Sequence, residues 1–159
     1  MKKFLIILCL LLPLPSQASI LIPKCECTGG SGKPMLIIGL YQHAVAASAT
    51  YYFVSAYNDY STGPAFNKIY MPVSCLAEKL YVTIMTAQPA DNSMTVTLQQ
   101  NGANTLLLVT FPAGAAANTT ESDLTDSVAI STGDTLEFAA QNNSTSTSAE
   151  IGYVSIICQ

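Results

Sequence analysis

The sequence predicts an all-β chain: an antiparallel β-sandwich of the jelly-roll kind, with about nine strands and a short N-terminal arm. Three observations carry that prediction. Short runs of alternating apolar and polar residues recur from Met35 to Cys158. Turn chemistry such as Asn101-Gly102 and Gly133-Asp134 separates them. Nowhere does an apolar period of about 3.6 residues last three turns. The best helical candidate, "YQHAVAASA" at residues 41–49, is short.

The chain opens "MKKFLIILCLLLPLPSQASI". Lys2 and Lys3 precede an apolar run from Phe4 to Leu12, and Ser16-Gln17-Ala18 offers small residues where signal peptidase reads. The run is too short to span a bilayer, so residues 1–18 read as a cleaved secretory signal. Cys9 sits inside the apolar run, which excludes a lipoprotein. The glycines and serine of "SILIPKCECTGGSGKP" make residues 19–34 an arm or linker. Residues 35–159 form the β-sandwich domain. Expected strands are 35–41, 51–57, 67–73, 77–86, 94–100, 105–111, 126–131, 134–140 and 150–158.

The most legible element is "SMTVTLQQNGANTLLLVTFPAG", residues 93–114. Asn and Gly at 101–102 both tolerate positive φ and favour a tight hairpin turn. Met94, Val96 and Leu98 face the core on one arm, as do Leu107, Val109 and Phe111 on the other. Leu106 and Leu108 are then left pointing outward, where the arm or another subunit must cover them.

Cys25, Cys27, Cys75 and Cys158 remain after cleavage, an even count that reads as two disulfides in an exported chain. Cys25 and Cys27 are too close to bridge each other easily, so each is expected to reach one of Cys75 and Cys158. Closing a loop of about 50 residues stabilises a fold by ~4 kcal/mol. The spacings match no zinc module.

Beyond the signal, ten acidic residues face Lys24, Lys33, Lys68 and Lys79, and the chain lacks arginine. That balance excludes a nucleic-acid binder and disfavours an anionic membrane surface. No later segment is apolar enough to cross a membrane as a helix. With 50% hydrophobic and 10% charged residues, the chain is poorly charged for a solvated monomer, and self-association is expected.

Candidate chemistry is sparse. His43 is the single histidine, so a complete catalytic constellation is not expected. "GGSGK" at 29–33 lacks the first glycine and final hydroxyl of a phosphate loop. Glu121, Asp123 and Asp126 share the stretch "TTESDLTD", read as an acidic loop whose hard oxygens offer a calcium site. Tyr57, Asn58, Asp59 and Tyr60 form a turn with the vocabulary of glycan or receptor recognition. Glycosylation sequons occur at Asn118 and at Asn142-Asn143.

The order "MPVSCLAEKLYVTI", "MTVTLQQNGANTLLLVTFPAG", "SDLTDSVAISTGDTLEFAA" resembles a β-sandwich module of phage and bacterial exported structural proteins. It is broadly similar to the C1q and tumour-necrosis-factor jelly-roll. The resemblance spans about residues 70–140 and rests on strand and turn patterns. It implies an exposed, non-catalytic sandwich that often self-associates as a trimer, and it carries over no functional residue. The four cysteines and the signal depart from the family habit and favour a free-standing protein.

Two readings follow. The first is a secreted or surface-exposed structural protein, periplasmic in a suitable envelope, that assembles into a trimer or fibre through Leu106 and Leu108. The alternative is an extracellular carbohydrate- or receptor-binding domain, calcium-assisted or cofactor-free.

Overall fold

The computed structural model describes residues 35–53, 62 and 68–159, with 35–43 described by backbone alone. The signal and arm, with Cys25 and Cys27, lie outside the described residues. The described residues form nine strands: β1 (Met35–Val45), β2 (Thr50–Phe53), β3 (Ile69–Tyr70), β4 (Cys75–Ile84), β5 (Met94–Gln100), β6 (Ala103–Phe111), β7 (Thr120–Ile130), β8 (Thr135–Asn142) and β9 (Ala149–Cys158). They form two antiparallel sheets, one ordered β1-β9-β4-β7 and the other β2-β8-β5-β6, with β3 added to β8.

That order is a jelly-roll. The pairings β5–β6, β4–β7, β2–β8 and β1–β9 nest inside one another like a long hairpin rolled onto itself. The innermost pair is closed by Asn101 and Gly102, both at positive φ (54° and 79°). Those dihedrals match the turn to the twist of the flanking strands. A neighbouring turn at Gly133 (φ 91°) is stitched to it through side chains. The Asp134 carboxylate accepts from Asn101 Nδ2 (2.8 Å), Gln100 Nε2 (2.6 Å) and the Ser131 N–H (2.7 Å). The Asn101, Ser131 and Gln100 donors hold its pKa below the usual carboxylate value.

Period-two alternation builds the core. Leu80, Val82 and Ile84 of β4 and Ile151, Val154 and Ile156 of β9 face inward from one sheet. Met94, Val96, Leu98, Leu107, Val109, Phe111, Leu136 and Phe138 meet them from the other. Phe53 packs on Phe138 with ring centroids 5.8 Å apart.

Three sequence expectations are corrected. The candidate helix at 41–49 is instead the end of β1 followed by a turn, because a register shift between Leu40 and His43 lets β1 keep pairing with β9 as far as Val45. The acidic stretch expected as a loop belongs to β7, recruited because β4 has a second edge to satisfy. Cys75 is bonded to Cys158, not to Cys25 or Cys27. β4 and β9 are direct neighbours, with Cys158 opposite Ala77, which puts the two cysteine Cα atoms 5.4 Å apart. The bond closes a separation of 83 residues, for which loop entropy predicts roughly 4.5 kcal/mol.

Candidate functional site

Two surfaces gather exposed side chains of recognition type. The first is the outer face of the four-stranded sheet. Val82 and Val154 lie opposite each other and point into the core, so Tyr81, Thr83, Tyr153 and Ser155 point out. Tyr153 stands opposite Thr83, and Tyr81 opposite Ser155. The two tyrosines are therefore diagonal neighbours, about 7–8 Å apart at the backbone. Both are exposed, at 38% for Tyr81 and 47% for Tyr153. On the other side of β4, Ser122 and Thr120 of β7 stand opposite Tyr81 and Thr83. Thr83 Oγ1 and Thr120 Oγ1 are hydrogen-bonded at 2.7 Å. The result is two phenol rings set among hydroxyls. The described charges on this face stand away from its centre, with the Glu78–Lys79 ion pair (3.0 Å) toward one end and Glu150 toward the other.

The second surface is the open edge of the sandwich, where β6 ends one sheet and β7 ends the other. An open groove of about 570 Å³ runs between them. Leu106 and Leu108 line it from β6, and Asp123, Leu124 and Asp126 from β7. The outward orientation expected for the two β6 leucines is what the structure shows: Leu106 is 69% and Leu108 43% exposed, while Leu107 between them is buried.

Asp123 closes this edge. Its Oδ1 accepts from the Thr125 N–H, Thr125 Oγ1 and the Asp126 N–H, each at 3.1 Å. Its Oδ2 accepts from the Leu108 N–H across the gap at 3.4 Å. Burial opposes ionisation of Asp123, but the donors of Asp126, Thr125 and Leu108 outweigh it and hold the pKa below the usual value.

Behind the edge, on the outward side of the five-stranded sheet, lies a polar row. Asn104 stands opposite Gln99, and Gln99 opposite Glu137. Gln99 Nε2 donates to Asn104 Oδ1 at 2.7 Å. Glu137 is 1% exposed, neither of its carboxylate oxygens receives a hydrogen bond among the described residues, and Lys68 Nζ stands 3.7 Å away. Burial pushes its pKa up, more than Lys68 lowers it.

The other expected site residues are placed as follows. Tyr57, Asn58, Asp59 and Tyr60 lie outside the described residues. Glu121, Asp123 and Asp126 all sit on β7, with the Asp123 carboxylate committed to its own edge. Among the described residues no three acidic, histidine or cysteine side chains converge as a metal site. His43 pairs through its backbone with Ile151. Asn142 is a poor sequon because it is buried, its Nδ2 donating to Val45 O (2.9 Å) and Thr147 O (3.0 Å). Sequence reasoning did not single out Tyr81 and Tyr153. Alternation marks each as outward, but only the β4–β9 register makes them neighbours.

No family model matches the sequence, and no curated protein matches it. Solved structures similar to the chain include dimeric latent PorU from Porphyromonas gingivalis, at 13% identity and TM-score 0.49, covering 79% of this chain and 12% of that one. The β-(1,4)-mannanase of Podospora anserina, a GH26-CBM35 protein, is 15% identical with TM-score 0.43, covering 78% and 28%. A family 35 carbohydrate binding module from Clostridium thermocellum is 11% identical with TM-score 0.44, covering 79% and 98%. The chain thus spans well under two thirds of the first two. Likeness at this level says nothing about ligand.

Proposed function

We propose that this chain is an exported, non-catalytic recognition module whose ligand is a neutral glycan, bound across Tyr81 and Tyr153. The observation that carries the reading is the pair of exposed phenol rings on an outward sheet face bordered by serine and threonine hydroxyls. Tyrosine offers a flat apolar ring for the C–H face of a pyranose and a hydroxyl for its rim, and it loses little rotamer freedom on binding. Beyond the signal, ten acidic residues against four lysines repel uronic or sialic acids, so an uncharged sugar is the complement. The test is retention of the oxidised protein in gels containing neutral polysaccharides. Tyr81→Ala/Tyr153→Ala is expected to abolish retention with circular dichroism unchanged, because both rings are exposed. Equal retention of the variant would sink the reading.

A second reading, self-association into a trimer or fibre, is favoured by the exposure of Leu106, Leu108 and Leu124. Light scattering at several concentrations tests it: a concentration-independent monomer removes it.

A further inference from the structure

Asn101-Gly102 is the only Asn-Gly dipeptide in the sequence. Such a pair is chemically the least durable setting for an asparagine. The backbone nitrogen of the following residue attacks the side-chain carbonyl carbon, and glycine has no side chain to shield that nitrogen. Here the step would join Gly102 N to Asn101 Cγ and break the Cγ–Nδ2 bond. The proton of the Gly102 N–H leaves with the amide as ammonia, and a five-membered succinimide remains. Water then opens the ring at either carbonyl, giving aspartate or isoaspartate, with no oxidant or cofactor consumed. The turn is exposed, so water is at hand. Yet the fold ties down both ends of the Asn101 amide. Its Nδ2 donates to Asp134 Oδ1 at 2.8 Å, and its Oδ1 accepts from the Thr135 N–H at 2.9 Å. These partners lie 33 and 34 positions away in sequence. Asp134 is in turn fixed by Gln100 Nε2 and the Ser131 N–H. Ring closure swings Cγ onto Gly102 N, so both amide hydrogen bonds must be released first. The one to the Asp134 carboxylate is charge-assisted and the costlier to break.

We propose that Asn101 is a latent deamidation site, which Asp134 and Thr135 hold closed while the protein is folded. Opening the clamp makes the change irreversible. The product puts a second carboxylate beside Asp134 where a donor stood. Isoaspartate also adds a backbone atom to a turn whose two dihedrals match the strand twist. The turn joins β5 and β6 of the five-stranded sheet, whereas Tyr81 and Tyr153 belong to the other sheet, so the site stands or falls independently of glycan binding.

The experiment incubates the full oxidised protein at mildly alkaline pH, either folded or in urea. Peptide mass mapping that separates aspartate from isoaspartate follows residue 101. Deamidation in the folded protein is expected to be at least ~10-fold slower than in urea. Asn118 is also exposed and at positive φ (61°), but Thr119 follows it, and it is expected to change far more slowly than Asn101 in urea. Asp134→Ala is expected to speed the folded rate at least ~10-fold and to leave the rate in urea unchanged. Asp134→Ser, a turn-compatible residue too short to reach Asn101, is expected to do the same and serves if the alanine variant does not fold. Circular dichroism identifies the folded variants. Equal wild-type rates in the folded state and in urea overturn the proposal, as does a folded Asp134 variant that deamidates no faster than wild type.

Discussion

Asp123 and Glu137 are both carboxylates removed from solvent in one small sandwich, yet they sit in opposite electrostatic situations. Asp123 receives four hydrogen bonds within hydrogen-bonding reach of two strands, and its pKa is lowered. Among the described residues Glu137 has only Lys68 at 3.7 Å, with no other partner for either oxygen, and its pKa is raised. Burial is common to both. What separates them is the supply of donors, which decides whether an inward carboxylate holds a fold together or strains it.

The sharpest way to break the contrast is to remove Asp123. Asp123→Ala leaves the Thr125, Asp126 and Leu108 N–H groups without their acceptor, and a loss of about 2 kcal/mol is expected in urea denaturation. Asp123→Asn keeps one acceptor oxygen and should recover part of that loss. Glu137→Gln should act in the opposite direction, stabilising the protein at neutral pH by ~1 kcal/mol or less, because an uncharged amide relieves the buried charge.

The same two groups contribute to the pH dependence with opposite signs, and Asp134, also lowered, adds to Asp123 on the acid side. A lowered pKa means that the stability Asp123 contributes is present above its unfolded pKa, near 3.8, and is lost as pH falls through the folded value. A raised pKa means that the Glu137 contribution is present below its unfolded value, near 4.5, and is lost as pH rises through the folded one. Melting temperature should therefore rise on mild acidification from neutral pH and fall steeply only below about pH 4. Glu137→Gln should remove the mild-acid rise. A wild-type protein with no such rise would show that Lys68 neutralises Glu137 after all. The smallest expected effect is that of a chelator: with Asp123 committed to backbone donors, melting temperature should not move.

The same carboxylates show where the sequence was legible. The β5–β6 hairpin is the most legible element because its alternation and its Asn101-Gly102 turn are local signals, and Leu106 and Leu108 point outward as expected. Its second arm nevertheless begins at Ala103 rather than at 105, and its ladder shifts register between Thr97 and Gln99. β7 could not be read in this way. "TESDLTD" has no apolar alternation, and its strand conformation comes from β4, some 40 positions away in sequence. The neighbourhood of Tyr81 and Tyr153 and the Cys75–Cys158 bond both depend on β4 lying beside β9. No local pattern encodes that juxtaposition. Glu137 was invisible for a related reason: its parity in "DTLEFAA" marks it as outward, and nothing local says that this side is also buried.

The nested pairing has a mechanical consequence. Met35 lies opposite Cys158, so tension applied between these points loads β1 and β9 from one end and unzips them bond by bond. The disulfide limits what such a force can extract, because residues 75–158 form a covalently closed loop that tension bypasses. Only residues 35–74 can be drawn out, a contour of roughly 140 Å at full extension. Both faces of the β4–β9 ladder lie within the closed loop, so Tyr81 and Tyr153 belong to the part of the molecule that carries no load while the bond is intact.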